Sequence, residues 1–229
     1  HGTLEAWARA RGIPVSSGGR GAAYVVPAPD AEGARWVVRH FRRGGGVRWL
    51  GDRYLRGGHP RPFAELAASE AVRARGIETP RVVAAALYEG PVFYRADLVT
   101  ECVEDAVPLA ATLSDDAPDR PGPDAATAVA AALRLAERLA EAGVEHADLN
   151  AHNVLFRRSD EGRWTPVLLD LDRCRVGRRA RSPARMRARL LRSLGKVMAE
   201  AGGTLDLDAL ARARAARLDP PGHGPDERS

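Results

Sequence analysis

Cysteine, lysine and aromatic residues are all scarce in this chain of 229 residues. Its two cysteines, Cys102 and Cys174, are too few for a disulfide scaffold and lack metal-ligand spacing, so both are expected as reduced, packed thiols. Aromatic residues make up 5%. No aromatic-rich strand of the RNA-reading kind is present, which argues against a nucleic-acid partner. The longest apolar run, Val82 to Tyr88, is strand-length and far short of the ~18 residues that a membrane-crossing helix needs. The opening His1-Gly2-Thr3-Leu4 shows no basic region before an apolar core, so no secretory leader is visible. It also lacks an initial Met, which leaves room for upstream residues. Together these absences point to a soluble, cytosolic protein.

Lysine is nearly missing: Lys196 stands alone among 35 basic residues, and the rest are arginine. Such a bias beside abundant alanine marks a GC-rich genome. The net charge of +5 calls for an anionic partner without saying which. With 45% hydrophobic and 28% charged residues, the composition is that of a globular protein.

The first hundred residues read as strands with one helix. Ala22 to Val26 and Arg35 to Phe41 are β-rich runs joined by a Pro/Asp/Gly turn, and a Gly/Arg-rich stretch follows. Pro62 to Arg75 has helical character, with Pro62 in its first turn and Gly76 as its stop. Val82 to Tyr88 and Val92 to Thr100 form a hairpin around Glu89-Gly90-Pro91. Beyond the Pro-rich loop Ser114 to Pro123 the pattern turns helical. Asp124 caps a helix ending at Gly143, two short strands cover Val154 to Phe156 and Val167 to Leu169, and a last helix starts at Ser182-Pro183.

The sharpest chemical signal is His146-Ala147-Asp148-Leu149-Asn150-Ala151-His152-Asn153. It matches the kinase catalytic loop H-R-D-L-x-x-x-N at every fixed position except the Arg. The chemistry explains the spacing: a carboxylate, Asp148, must meet the acceptor hydroxyl, while an amide oxygen one turn on, at Asn153, reaches a phosphate-bound metal. Seventeen residues further, Val167-Leu168-Leu169-Asp170 ends a buried strand in the acid expected to bind Mg²⁺. Asp172 could instead orient the loop or share the metal site.

With these motifs the chain resembles the lipopolysaccharide kinases, a branch of the protein-kinase-like superfamily, and within them the 3-deoxy-D-manno-octulosonic acid (Kdo) kinases. Further segments carry the likeness: Gly19-Arg20-Gly21, Val38-Arg39-His40-Phe41-Arg42-Arg43-Gly44-Gly45, Tyr54-Leu55, Glu65, Gly76-Ile77-Glu78-Thr79-Pro80 and Leu98-Val99-Thr100-Glu101. The Arg-His-Phe-Arg-Arg-Gly-Gly segment discriminates best, because generic kinases lack it.

The resemblance implies an α+β, protein-kinase-like fold of two lobes. An antiparallel five-stranded N-lobe with one helix would cover 1–101, and a short, mainly helical C-lobe 102–219, before a disordered tail at 220–229. It also implies roles. Gly18, Gly19 and Gly21 would cover the phosphates of ATP, and Arg39 would stand for the usual phosphate-pairing Lys. Glu65 would be its ion-pair partner, with Glu70 as fallback, and the backbones of Glu101 and Val103 would meet adenine. His146 would be scaffold rather than proton carrier. The implied reaction is ATP- and Mg²⁺-dependent phosphorylation of a Kdo hydroxyl, the 4-hydroxyl, on Kdo-lipid A.

Ala147 in place of Arg removes the reader of a phosphorylated activation loop. Fewer than sixty residues follow Asp172, too few for a protein-binding lobe. Both favour a glycolipid or small-molecule acceptor. From Arg173 to Arg192 there are nine arginines and no acid. Arg178, Arg179 and Arg181 are therefore expected to contact an anionic glycolipid or the cytoplasmic surface of the inner membrane, each worth about 1 kcal/mol close to the lipid. Rival readings are a kinase of another sugar or of an antibiotic, and a silent nucleotide-binding adaptor.

Overall fold

The computed structural model describes residues 2–16, 22–29, 31–43, 51–114, 122–159, 161–203 and 206. Gly18, Gly19, Gly21 and the tail 220–229 lie outside them. The N-terminal part runs α1 (Leu4–Arg11), β1 (Ile13–Ser16), β2 (Ala22–Pro27), β3 (Arg35–His40), β4 (Tyr54–Leu55), α2 (Arg61–Arg73), β5 (Val82–Glu89) and β6 (Phe93–Glu101). Its strands form one antiparallel sheet in the order β1-β2-β3-β6-β4, with β5 on the other edge of β6.

Two expectations are corrected here: the sheet has six strands rather than five, and α1 precedes it. The helix is eight residues long, too short to show periodicity, and holds through tertiary packing. Thr3 caps it by accepting the Ala6 N–H at 3.1 Å. Ala8 is fully buried among Val26, Val38 and Val99, with Leu4 and Trp7 alongside.

α2 buries Glu65, Ala68, Ser69 and Val72, the three-and-four spacing of one helical face. Ala68 and Val72 join the C-terminal core rather than the sheet, so α2 bridges the two halves. Gly76 ends this region with φ +73°, a conformation that L side chains rarely adopt.

The C-terminal part runs β7 (Ala106–Pro108), α3 (Ala125–Glu141), β8 (Val144–His146), β9 (Val154–Arg158), β10 (Trp164–Leu168), β11 (Cys174–Val176) and α4 (Pro183–Glu200). Asp124 caps α3 by accepting the Thr127 N–H at 2.8 Å. The run of alanines on α3 lets neighbours approach closely, and Ala128, Ala132, Leu135 and Leu139 are buried. α4 buries Met186, Leu190, Leu194 and Val197.

The expectation of only two short strands here is also corrected. β7 extends the β9–β10 hairpin into a three-stranded sheet, and β11 pairs with β8. Three-residue strands are too short to alternate visibly, yet β8–β11 matters most. Its register places Cys174 opposite His146, at the first residue of the catalytic loop.

Candidate active site

The loop from His146 to Asn153 is held from inside. His146 is buried; its Nε2–H donates to the Leu169 carbonyl (3.0 Å), and its Nδ1 accepts the Asp148 N–H (3.2 Å). One ring thus ties the catalytic loop to the strand end that carries Asp170. Burial pushes the imidazole below its ordinary pKa, so it stays neutral with one nitrogen as donor and one as acceptor. A neutral, doubly committed ring is a scaffold.

The Asp148 carbonyl accepts two amides, Asn150 Nδ2 at 2.8 Å and Asn153 Nδ2 at 2.9 Å. The Asn153 carbonyl in turn accepts the Leu169 N–H at 2.9 Å. The two expected metal residues, Asn153 and Asp170, are therefore brought together across β9 and β10. Asp170 has φ 56°, unusual for a residue other than glycine and a local strain of the kind that clusters at functional sites. With the Asn153 amide nitrogen committed, its oxygen and the Asp170 carboxylate form a hard-oxygen donor pair. That set suits Mg²⁺, which keeps waters and takes one or two carboxylates plus phosphate. Among the described residues no group of three or more His, Cys, Asp or Glu is assembled for a metal held by protein alone.

Arg39 reaches this centre from β3. Its Nη2 meets both Glu65 oxygens at 2.5 and 2.6 Å, and its Nη1 meets Asp170 Oδ1 at 3.0 Å. Burial opposes the Arg39 charge, but Glu65 and Asp170 outweigh it and hold the guanidinium above its ordinary value. Burial also pushes the Glu65 carboxyl up, against the pull of Arg39. The alternative partner Glu70 is exposed on α2 and Glu65 is buried, so the pairing falls to Glu65.

Glu101 ends β6 and donates its N–H to the Arg81 carbonyl at 2.9 Å, so that N–H is already committed. Val103 lies half-buried just beyond. Arg178, Arg179 and Arg181 are exposed between β11 and α4, and none of them lines the cleft. Cys102 and Cys174 are free thiols, and burial pushes Cys174 up to about 12.

Three ion-paired side chains escaped the sequence reading. Arg61 grips Asp172 with two nitrogens and stacks on Phe41 and Tyr54, so Asp172 is tied to α2. Arg189 donates to Asp148 Oδ1 at 2.9 Å. His40, inside the discriminating segment, is buried against Asp97. The surrounding excess of arginine hides Arg61 and Arg189. The cleft beside Asp148 is lined by His146, Ala147, Asp148, Asp170, Asp172, Arg173 and Arg189, two cations facing three acids.

The chain that carries this assembly has relatives among known proteins. A profile described as the lipopolysaccharide kinase (Kdo/WaaP) family matches residues 5–213. A 3-deoxy-D-manno-octulosonic acid kinase of Xanthomonas campestris pv. campestris (strain B100) is 38% identical over 166 residues, 71% of this chain and 61% of that protein. One of Stenotrophomonas maltophilia (strain K279a) is 36% identical over 195 residues, 82% and 71% respectively. One of Xylella fastidiosa (strain M12) is 35% identical over 205 residues, 86% and 75%. The match to the Xanthomonas relative thus spans about three fifths of its length. Among solved structures, one described as WaaP in complex with acyl carrier protein superposes with a TM-score of 0.53 at 18% identity, covering 94% of this chain and 88% of that one. That likeness shows the fold.

Proposed function

The chain belongs to the lipopolysaccharide kinase (Kdo/WaaP) family, and from that premise we propose that it transfers the γ-phosphoryl group of ATP to a Kdo hydroxyl, the 4-hydroxyl, of Kdo-lipid A. The observation that carries this reading is the convergence of Asp148 and Asn153 from one loop, Asp170 from the end of β10 and Arg39 from β3 on one centre.

Each residue then has a task. Asp148 orients the acceptor hydroxyl and takes its proton as the oxygen–phosphorus bond forms. His146 holds the Asp148 backbone and stays neutral. Asn153 and Asp170 would hold Mg²⁺, which supplies charge neutralisation on the phosphate oxygens when bound with ATP. Arg39, braced by Glu65, positions the phosphates as a planar, permanently charged fork. The Gly18, Gly19 and Gly21 turn would cover them, and the Glu101 carbonyl and the Val103 backbone would meet adenine.

The acceptor is an anionic glycolipid, and the basic segment suits it. Arg178, Arg179 and Arg181 are exposed and contact the lipid surface, so the protein works as a peripheral enzyme on the cytoplasmic face of the bacterial inner membrane. No helix among the described residues is long and apolar enough to cross a membrane.

The test is phosphate transfer from labelled ATP to Kdo-lipid A beside a panel of other sugars and a Kdo-free lipid A, with and without Mg²⁺. The reading expects Mg²⁺-dependent transfer to the Kdo-bearing lipid and a phosphate mapped to its 4-hydroxyl. Preferential transfer to another sugar would replace it with a sibling kinase, and ATP binding without any transfer would replace it with a silent adaptor.

A further inference from the structure

α4 runs along the whole catalytic loop. Met186 Sδ accepts the His146 N–H at 3.5 Å, Arg189 Nη1 donates to Asp148 Oδ1 at 2.9 Å, and Ser193 Oγ accepts the Ala151 N–H at 3.0 Å. These three positions are three and four residues apart, the spacing of a single helical face. Leu190 and Leu194 are fully buried on the same helix and anchor it in the C-terminal core. The helix acts as a ruler that fixes one guanidinium beside the carboxylate meeting the acceptor.

Stability does not explain the Arg189–Asp148 pair. The side chains are 44% and 40% exposed, and pairs this open contribute little to folding. The Asp148 backbone is fixed separately, by His146, Asn150 and Asn153, so what Arg189 meets is the carboxylate itself, at the place where the acceptor arrives. The phosphate side of the centre has its own cation in Arg39, braced by Glu65 and Asp170. Arg189 comes instead from the C-terminal helix and lines the cleft together with Arg173.

We infer that Arg189 is the acceptor-reading residue, binding the carboxylate of a sugar acid whose reacting hydroxyl rests on Asp148. This rests on the Kdo-kinase reading above and deepens it. A guanidinium offers five N–H donors in a planar fork, and a single Nη1 contact is made to Asp148 Oδ1. An anion on another edge of the same fork would lie near the hydroxyl that Asp148 engages. An octulosonic acid carries a carboxylate on the same ring as its hydroxyls, and a neutral hexose does not. The pairing is charge-assisted and directional, so an acceptor lacking the acid loses it. Arg189 therefore selects acidic sugars over neutral ones.

The experiment compares Kdo-lipid A with the same lipid converted to its Kdo C1 carboxamide, both in detergent micelles, for the parent chain, R189Q and R189K. The parent should favour the acid by about tenfold or more in kcat/KM, the scale of one charge-assisted contact. R189Q should lose most of its activity on the acid through KM, with the preference collapsing towards one. R189K should keep part of the preference. Thermal midpoints close to the parent's establish that the variants are folded, as expected for a half-exposed side chain. A parent that uses both lipids equally, or an R189Q that loses kcat equally on both, would overturn the assignment; the second pattern would place Arg189 on the phosphoryl group. No transfer to the acid by the parent would overturn the Kdo-kinase reading itself, and the assignment with it.

Discussion

His40 and His146 are each 3% exposed, one in the N-terminal lobe and one in the C-terminal lobe, and their surroundings move their pKa values in opposite directions. Burial works against charge on His40, but Asp97 at 2.5 Å, with Glu5 and Asp52 nearby, raises its pKa above the usual value. His146 faces a carbonyl and a backbone N–H, and burial lowers it. The lobes around them differ in the same way. The N-terminal sheet has two buried apolar clusters of five residues each, stitched together by ionic contacts such as Arg42–Glu5 and Arg39–Glu65. Among the described residues the C-terminal lobe is built on one apolar cluster of 23 buried residues, to which the N-terminal part lends Ala68, Val72 and Ile77. The difference teaches where each lobe places its charge. The N-terminal lobe uses charge to hold itself together, whereas the C-terminal lobe is held by apolar packing and presents its acids at the cleft.

The sharpest break in that comparison is at the metal strand. Asp170→Ala should abolish Mg²⁺-dependent nucleotide binding, whereas Asp172→Ala, whose carboxylate is held by Arg61, should only weaken it. Isothermal titration of nucleotide with and without Mg²⁺ distinguishes them, and the reverse order would shift the metal register by two residues.

Stability measurements sharpen the contrast next. Leu194→Ala, in the apolar core, should cost about 2–5 kcal/mol by cavity formation. Asp97→Asn removes the counter-ion of a buried imidazole and disturbs an oxygen that also accepts the Glu5 N–H and the Tyr88 hydroxyl, and should cost a similar ~3–5 kcal/mol with a large electrostatic part. Urea unfolding at pH 6 and pH 9 tells them apart, because only the Asp97→Asn cost should shrink as His40 loses its proton.

A smaller effect is the opposite pH response of the two histidines. His40 has a raised folded pKa, so its stabilisation is full below about pH 6.5 and is lost as pH rises through that folded value. His146 has a depressed one, so the unfolded chain binds a proton that the folded chain refuses, and stability falls as pH drops below about 6.5. NMR titration of the two rings should show one moving above and the other below the ordinary value. Shifts in the same direction would end the comparison.

The smallest effect expected is at the surface. Replacing Arg178, Arg179 and Arg181 with Gln should raise KM for membrane-embedded acceptor at low salt and leave KM for ATP unchanged, since the attraction is screened over about 8 Å at physiological salt. Equal activity on anionic vesicles at low salt would make these arginines an ordinary solvated face.

What was legible in the sequence follows from how each feature encodes itself. Asp148, Asn153 and Asp170 are fixed by spacing along the chain, so a one-dimensional pattern finds them. Helix α3 announces itself by its Asp124 cap, α4 by Pro183 in its first turn, and both by long apolar periodicity. α1 does not, because its eight residues include only a few apolar contacts whose partners lie on β2, β3 and β6. Strands β8 and β11 have three residues each and exist through their pairing. Arg39–Glu65 came from family resemblance, since a strand arginine and a helix glutamate 26 residues apart share no local signal. Arg189 is one of nine arginines in its segment, and only the register of α4 against the catalytic loop distinguishes it.

The central claim is that Asp148 is the group through which this cleft transfers phosphate to Kdo. Its most direct test is the rate of phosphate incorporation from labelled ATP into Kdo-lipid A by the parent and by Asp148→Asn, with ATP affinity measured in parallel. The account predicts transfer by the parent, and in the variant a loss of at least about 10²-fold in turnover with ATP binding and thermal midpoint retained. Near-parental turnover in the folded variant would contradict it.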